Sequence, residues 1–285
     1  MNLQHISYAE PDDPFLKRRF IRAVEFATGR PGFIRRYADT YLDWLTRVYG
    51  KSDRVWLDAL QRLGIDMRLH GDPWPPKAPS DAPVILIANH PYGVLDGIAM
   101  FALAEALGRT FRILVNDALM KITEMQPFAL PVDFAGTREA QMTNLRSRKE
   151  ALERLNRGET IIVFPAGGVS TARQPFGKAE DLPWGPFTGK LIHGSKATVI
   201  PVFFEGQNSP LFHLGSRVGL SYRLSLLAGE FFRRCGRPLD IHLGAPIPYE
   251  VMEPLRDRQE LMTWLRREVY SLPHRGPIRY EERAA

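Results

Sequence analysis

A chain of 285 residues with 44% hydrophobic composition is long enough to bury the core of one large α/β domain with appendages. Its single cysteine, Cys235, leaves no disulfide framework and no cysteine cluster for zinc, which predicts folding in a reducing compartment, the cytoplasm by default. No apolar run reaches about 18 residues and no apolar leader opens the chain, which argues against a spanning helix or a signal peptide, while a net charge of +6 favours an anionic partner.

Residues 14–49 mix Arg and Lys with Phe, Tyr, Trp and Leu and read as two short helices broken between Gly29 and Gly32. Two readings fit this composition, an interfacial pair lying on a membrane and an amphipathic pair docked on the protein's own core. A proline-rich connector, Asp72 to Pro83, leads into the apolar run VILIANH, where the main domain begins. A helix is expected from Gly97 to Leu107, a strand from Phe111 to Asn116 and a helix near 139–157. A strand from Thr160 to Phe164, a helix near 187–196 and a strand from Thr198 to Phe204 follow. Short apolar strands alternating with helices predict an α/β fold, a largely parallel sheet flanked by helices, with its chemistry at the strand C-terminal ends. Residues 210–234 are apolar with interspersed arginines, Asp240 to Pro248 looks like a last strand, and the tail from Glu250 holds one more helix before a polar end expected to be loose. The expected division is thus 1–78 for the N-terminal helices and connector, 79–250 for the main domain, and 251–285 for the terminal helix and tail.

Three unusual strings follow predicted strands. The first is Asn89-His90-Pro91-Tyr92-Gly93-Val94-Leu95-Asp96-Gly97. Pro91 and Gly93 oppose a continuing strand or a regular helix, so His90 and Asp96 are expected on a loop that can fold them together; on one helix they would point about 120° apart. A histidine held by a carboxylate is how a general base is built. The string also fits a hydrogen-bonded histidine followed by an aspartate that merely caps the next helix. The second string, Phe164-Pro165-Ala166-Gly167-Gly168-Val169-Ser170, can turn its main-chain N–H groups toward a developing oxyanion, or be only a turn. The third, Val199 to Gly206, is a strand interrupted by Pro201, expected near an edge or a bulge.

In this order and at these separations the strings resemble the lysophosphatidic acid and glycerolphosphate acyltransferase superfamily over roughly residues 80 to 250. Its first block pairs His with Asp, its third reads Phe-Pro-Glu-Gly-x-x-Ser, and its fourth is a Val-Pro-Val strand ending in Gly. The resemblance implies a thioester donor, acyl-CoA or acyl-carrier protein, with no further cofactor and no metal. It implies a hydroxyl acceptor in membrane lipid synthesis, His90 as base and Asp96 as its orienter, with Asn89, Gly93, Phe164, Pro165, Ala166, Gly167, Gly168 and Ser170 on the substrate side. Five residues rather than the usual four separate His90 from Asp96, a form similar to the hemolysin-like branch related to bacterial lyso-aminolipid O-acyltransferases. Ala166 stands where the family has Glu, and the family's nearby arginine is missing. Arg138, in the region of the second block from Leu130 to Arg138, and Arg173, after the third, are the nearest replacements, or else solvated surface charges.

The missing arginine favours an acceptor without a phosphomonoester, such as a lyso-aminolipid of the ornithine-lipid type, over lysophosphatidic acid. Membrane lipids are the expected partner, at the cytoplasmic side of the plasma membrane. Nucleic acid is not, since no recognisable binding signature is present. A catalytically silent membrane-binding protein on the same fold is the reading from another class. Cys235, among arginines, could carry a lowered pKa but has no histidine beside it. His193, His213 and His242 show no metal-ligand spacing. Trp184 could line an acyl channel or anchor a loop, and Lys190 and Lys196 read as solvated charges.

Overall fold

The computed structural model describes residues 14–274 apart from 28, 77–81, 118–119, 121–122, 134, 175 and 217–219. Three helices come first: α1 (Phe15–Ala27), α2 (Arg30–Arg47) and α3 (Val55–Arg62). Gly29, with φ 99°, makes the expected break between α1 and α2. Then follow β1 (Asp66–Gly71), β2 (Val84–Ala88), α4 (Val94–Ala106), β3 (Phe111–Asn116), β4 (Ala129–Val132), α5 (Arg138–Leu155) and β5 (Thr160–Val163). A short pair, β6 (Thr171–Ala172) and β7 (Ala179–Glu180), precedes α6 (Phe187–Ser195) and β8 (Thr198–Phe204). The chain closes with α7 (Pro210–Gly215), α8 (Leu220–Arg234), β9 (Pro238–Leu243), α9 (Tyr249–Met252) and α10 (Arg258–Ser271). The polar end beyond 274 and part of the proline-rich connector lie outside the described residues.

The main sheet runs β1-β9-β8-β2-β5-β3-β4, parallel throughout except between β8 and β9. Residues alternate between two cores, as a pleated strand dictates. Val84, Leu86 and Ala88 face a cluster with Trp44, Trp56 and Phe101 from α2, α3 and α4. Ile85 and Ile87 face one built with Leu155, Leu191, Ile192, Leu261 and Leu265 from α5, α6 and α10. With both faces covered, a strand of five buried residues is what a parallel sheet requires. The segments before residue 79 and after 250 both contribute to this body, through β1 at the sheet edge and α10 on one face.

Three expectations are corrected. The helix expected from Gly97 starts at Val94, which puts Asp96 in its first turn rather than on the loop. The reason is local: Asp96 Oδ2 accepts the N–H groups of Tyr92 (2.7 Å) and Gly93 (2.9 Å), satisfying donors that a helix start leaves bare. Pro201 lies in β8, a central strand and not an edge. It is tolerated because its pairing with β9 breaks there: the ladder covers Val202 to Phe204, and beyond it Gly244 N–H donates to Pro201 O at 2.9 Å. The last strand accordingly stops at Leu243, with Ile247 making only an isolated bridge to Val199.

Candidate active site

The order β8-β2-β5 makes neighbours of the three strands that carry the three strings, and because they are parallel the first two strings and the end of the third, Glu205 and Gly206, lie at the same end of the sheet. Where β2 ends, Asn89 replaces a main-chain rung with its side chain, donating from Nδ2 to Phe204 O (2.9 Å) and accepting from Phe204 N–H at Oδ1 (2.7 Å). The main chain is thereby free to turn into His90 and Pro91. Gly93 makes the second turn with φ 82° and ψ −115°, a conformation open to glycine. A Cβ there would also lie 3.1 Å from Leu227 Cδ2 and 3.3 Å from Val169 Cγ2. Gly206, at the end of the third string, has φ +102°, and a Cβ on it would fall 1.9 Å from Tyr92 Oη, which donates to Glu205 O (2.9 Å).

His90 Nδ1 lies 3.1 Å from Asp96 Oδ2, with the imidazole 17% exposed and the carboxylate fully buried. The two atoms are at contact distance but not aligned for a linear hydrogen bond. Burial pushes the Asp96 pKa up, and His90 together with the N–H groups of Tyr92 and Gly93 pulls against it. The imidazole stacks on Phe164, ring centroids 4.0 Å apart and planes 24° from parallel. Carboxylate on one edge and aromatic ring on one face fix the histidine's orientation, and its remaining nitrogen, Nε2, is the one left to exchange a proton.

The second string is joined to the first by its last residue. Ser170 N–H donates to His90 O at 2.8 Å. Gly167, φ 68°, spends its N–H closing a turn onto Phe164 O (3.1 Å). Among the described residues the N–H groups of Ala166 and Gly168 have no hydrogen-bond partner, and both sit in the turn after β5.

Sequence reasoning missed Asp181, which ties the pieces together. Its buried carboxylate accepts at Oδ1 from His90 N–H (3.2 Å) and Ser170 Oγ–H (2.5 Å), and at Oδ2 from Trp184 Nε1–H (2.9 Å). Its own N–H donates to Tyr270 Oη on α10 (2.8 Å). Trp184, fully buried, is therefore a loop anchor. The signal in the sequence was the polar residue beside that tryptophan, but nothing local singles it out.

The structure does not bring Arg138 into this group. It is the exposed first residue of α5, which follows β4, an edge strand three places from β2 and so about 14 Å across the sheet. Arg173 is also exposed. Burial pushes the Cys235 thiol up to about 11, outweighing the pull of Arg36 in the other direction. His193 is engaged by Tyr249 and Leu255 O, and His242 by Glu205.

A family model described as "Acyltransferase" matches residues 78–275. Two curated relatives carry the name "Lyso-glycine lipid O-acyltransferase". The one from Phocaeicola vulgatus is 27% identical over 202 residues, 68% of this chain and 70% of that protein. The one from Bacteroides thetaiotaomicron is 29% identical over 205 residues, 68% of this chain and 71% of that protein. Among solved structures, the 1-acyl-sn-glycerophosphate (LPA) acyltransferase PlsC from Thermotoga maritima is similar in fold. Its TM-score is 0.50 at 18% identity, with 91% of this chain and 98% of that chain covered.

Proposed function

Because the chain belongs to the acyltransferase family, we propose that it moves a fatty acyl group from a thioester, acyl-CoA or acyl-carrier protein, to the hydroxyl of a lyso-lipid with an amino-acid head group. The observation that carries this reading is the imidazole of His90 clamped between Asp96, 3.1 Å away, and the ring of Phe164. His90 Nε2 takes the hydroxyl proton as that oxygen attacks the thioester carbonyl. The N–H groups of Ala166 and Gly168 meet the developing oxyanion, and Asp96 stabilises the imidazolium. As the intermediate collapses, the C–S bond breaks and the imidazolium returns its proton to the leaving thiolate, so the histidine ends as it began. Orientation and acid–base catalysis are sufficient for an acyl group already activated as a thioester.

The names of the two relatives support an aminolipid acceptor and put glycine beside ornithine as its head group. The absence of the family's arginine from the 164–170 turn points the same way. Work at a membrane surface, on the cytoplasmic side, fits the apolar side chains that α1 exposes.

Thiol release by the purified protein tests the proposal, with acyl-CoA and acyl-carrier protein as donors and lyso-glycine lipid, lyso-ornithine lipid and lysophosphatidic acid as acceptors. Acylation of an aminolipid, falling about 10²- to 10⁴-fold in kcat for His90→Ala, is the expected result. Turnover of lysophosphatidic acid alone, or full activity in His90→Ala, overturns it.

A further inference from the structure

Helix α8 lies over the His90 loop: Leu227 would meet a side chain at Gly93, and the Arg234 guanidinium sits 4.7 Å from the centroid of the Tyr92 ring. Arg223, one turn before Leu227, reaches the second string. Its Nη2 donates to Val169 O, and it lies 3.5 Å from the position a Cβ on Gly168 would take. Val169 immediately precedes Ser170, whose N–H holds His90 O. Whatever grips this guanidinium is therefore held next to the segment that positions the base.

Arg223 is half-buried, resting 5.9 Å over the Phe212 ring, and among the described residues no carboxylate pairs with it. Burial alone lowers its pKa. A guanidinium removed from water is normally repaid by an anion, and one N–H of its five is engaged here, leaving a paired edge for a ligand. A second observation marks the same neighbourhood. His213 and Asn208 are 1% and 3% exposed, yet His213 Nε2 and both polar atoms of the Asn208 side chain have no partner. His213 Nδ1 accepts from Ala172 N–H, so Nε2 carries the proton, with the Asn208 main chain near it but outside good hydrogen-bond geometry. Burial lowers the His213 pKa, the Asn208 main chain and the Glu230 carboxylate pull it up, and the positive charge of Arg223 opposes protonation. Buried polar groups left over in this way belong where a polar ligand is held.

We propose that Arg223 binds the head-group carboxylate of the acceptor, with His213 and Asn208 as polar groups beside it, so that the acceptor's hydroxyl is presented to His90. This rests on the reading of the acceptor as a lyso-aminolipid. One planar guanidinium matches both the fork and the single charge of a carboxylate, whereas a phosphomonoester carries nearly twice that charge and favours a second cation. Arg223 thus stands in for the missing family arginine, from a helix that the sequence marked only as apolar with interspersed arginines.

The test compares a lyso-aminolipid bearing a free carboxylate with its neutral primary amide, and with lysophosphatidic acid, in the wild-type protein, Arg223→Gln and Arg223→Lys. In the wild type the amide should raise acceptor KM about ten- to a hundredfold with kcat little changed. In Arg223→Gln the two acceptors should have the same high KM, with the donor KM unmoved, and Arg223→Lys should restore part of the difference. If wild-type protein acylates both acceptors equally, or Arg223→Gln still discriminates, the inference falls and the proposed function stands. The wild-type arm needs no folded variant. Preference for lysophosphatidic acid that Arg223→Gln abolishes would make the bound oxyanion a phosphate and overturn the carboxylate. No acylation of any lyso-lipid overturns the functional reading itself.

Discussion

His90 and Asp96 illustrate how two accounts of the same residues can hold together. Asp96 caps the start of α4 through Tyr92 and Gly93, and with the same oxygen it faces His90 Nδ1. Pro91 and Gly93 made the pair legible, because a chain that must leave a strand and start a helix within six residues has few ways to turn. Asp181 was not legible. Its partners are 91 residues away at His90, 11 at Ser170 and 89 at Tyr270, and no local pattern encodes those meetings. Arg223 was hidden for the same reason, while Arg138 attracted attention only by its nearness in sequence to a block. Asp181→Asn presents an amide where one of three donors expects an oxygen, leaving a buried group unmet at about 1–3 kcal/mol. The expected outcome is a lower midpoint of thermal unfolding and a fall in kcat with acceptor KM nearly constant, read by calorimetry and steady-state kinetics on one preparation. Unchanged kcat in a stably folded Asp181→Asn protein would show that the link to His90 is dispensable.

Elements were legible where burial imposed a pattern. β2, β5 and β8 are continuous apolar runs because both sheet faces are covered, and β3 is nearly so. β1, with the sequence DMRLHG, is largely exposed at the edge and carries no such pattern, and β4 holds Pro131, which suits an edge strand but disguises it. Helix α3 escaped notice because its start is satisfied from elsewhere. No side chain of its own caps it; instead the Glu105 carboxylate on α4 accepts the N–H of Trp56 (3.1 and 3.0 Å) and of Leu57 (3.4 Å). Burial pushes Glu105 from 4.5 up to about 7, against the pull of those N–H groups and of Arg54. The folded protein therefore keeps a proton that the unfolded chain releases. Its contribution to stability is complete below pH 4.5 and declines as the pH rises to about 7, by no more than about 1.4 kcal/mol per pH unit. Urea unfolding across this range should show a flatter pH dependence for Glu105→Gln than for the wild type. Equal slopes would contradict the shift.

For the molecule as a whole, the alternation of strands and helices carried the α/β class, while the strand order that unites the three strings is a tertiary result. Of the two readings of the N-terminal helices, the structure shows the docked one. On one side α2 docks on α8, with Phe33 stacked on Phe232 at 4.1 Å. On the other, α1 exposes Phe15, Leu16 and Phe26 at 60%, 79% and 72%. α7, also packed on α8, exposes Leu211 and Leu214. Among the described residues no helix is long and apolar enough to cross a membrane, so lipid contact would come from these side chains. Substituting Phe15, Leu16 and Phe26 by Ser should lower partitioning onto anionic vesicles at least about tenfold with unfolding unchanged. Co-sedimentation measures the first and calorimetry the second. The bond from Asp181 to Tyr270 has a further consequence, for time rather than for space. Tyr270 is among the last described residues to leave a ribosome, and until α10 docks, the loop carrying His90 lacks its brace. His90 and Asp96 are thus synthesised long before the contact that steadies their loop can form, so the geometry of the pair should mature only once α10 has folded onto the sheet.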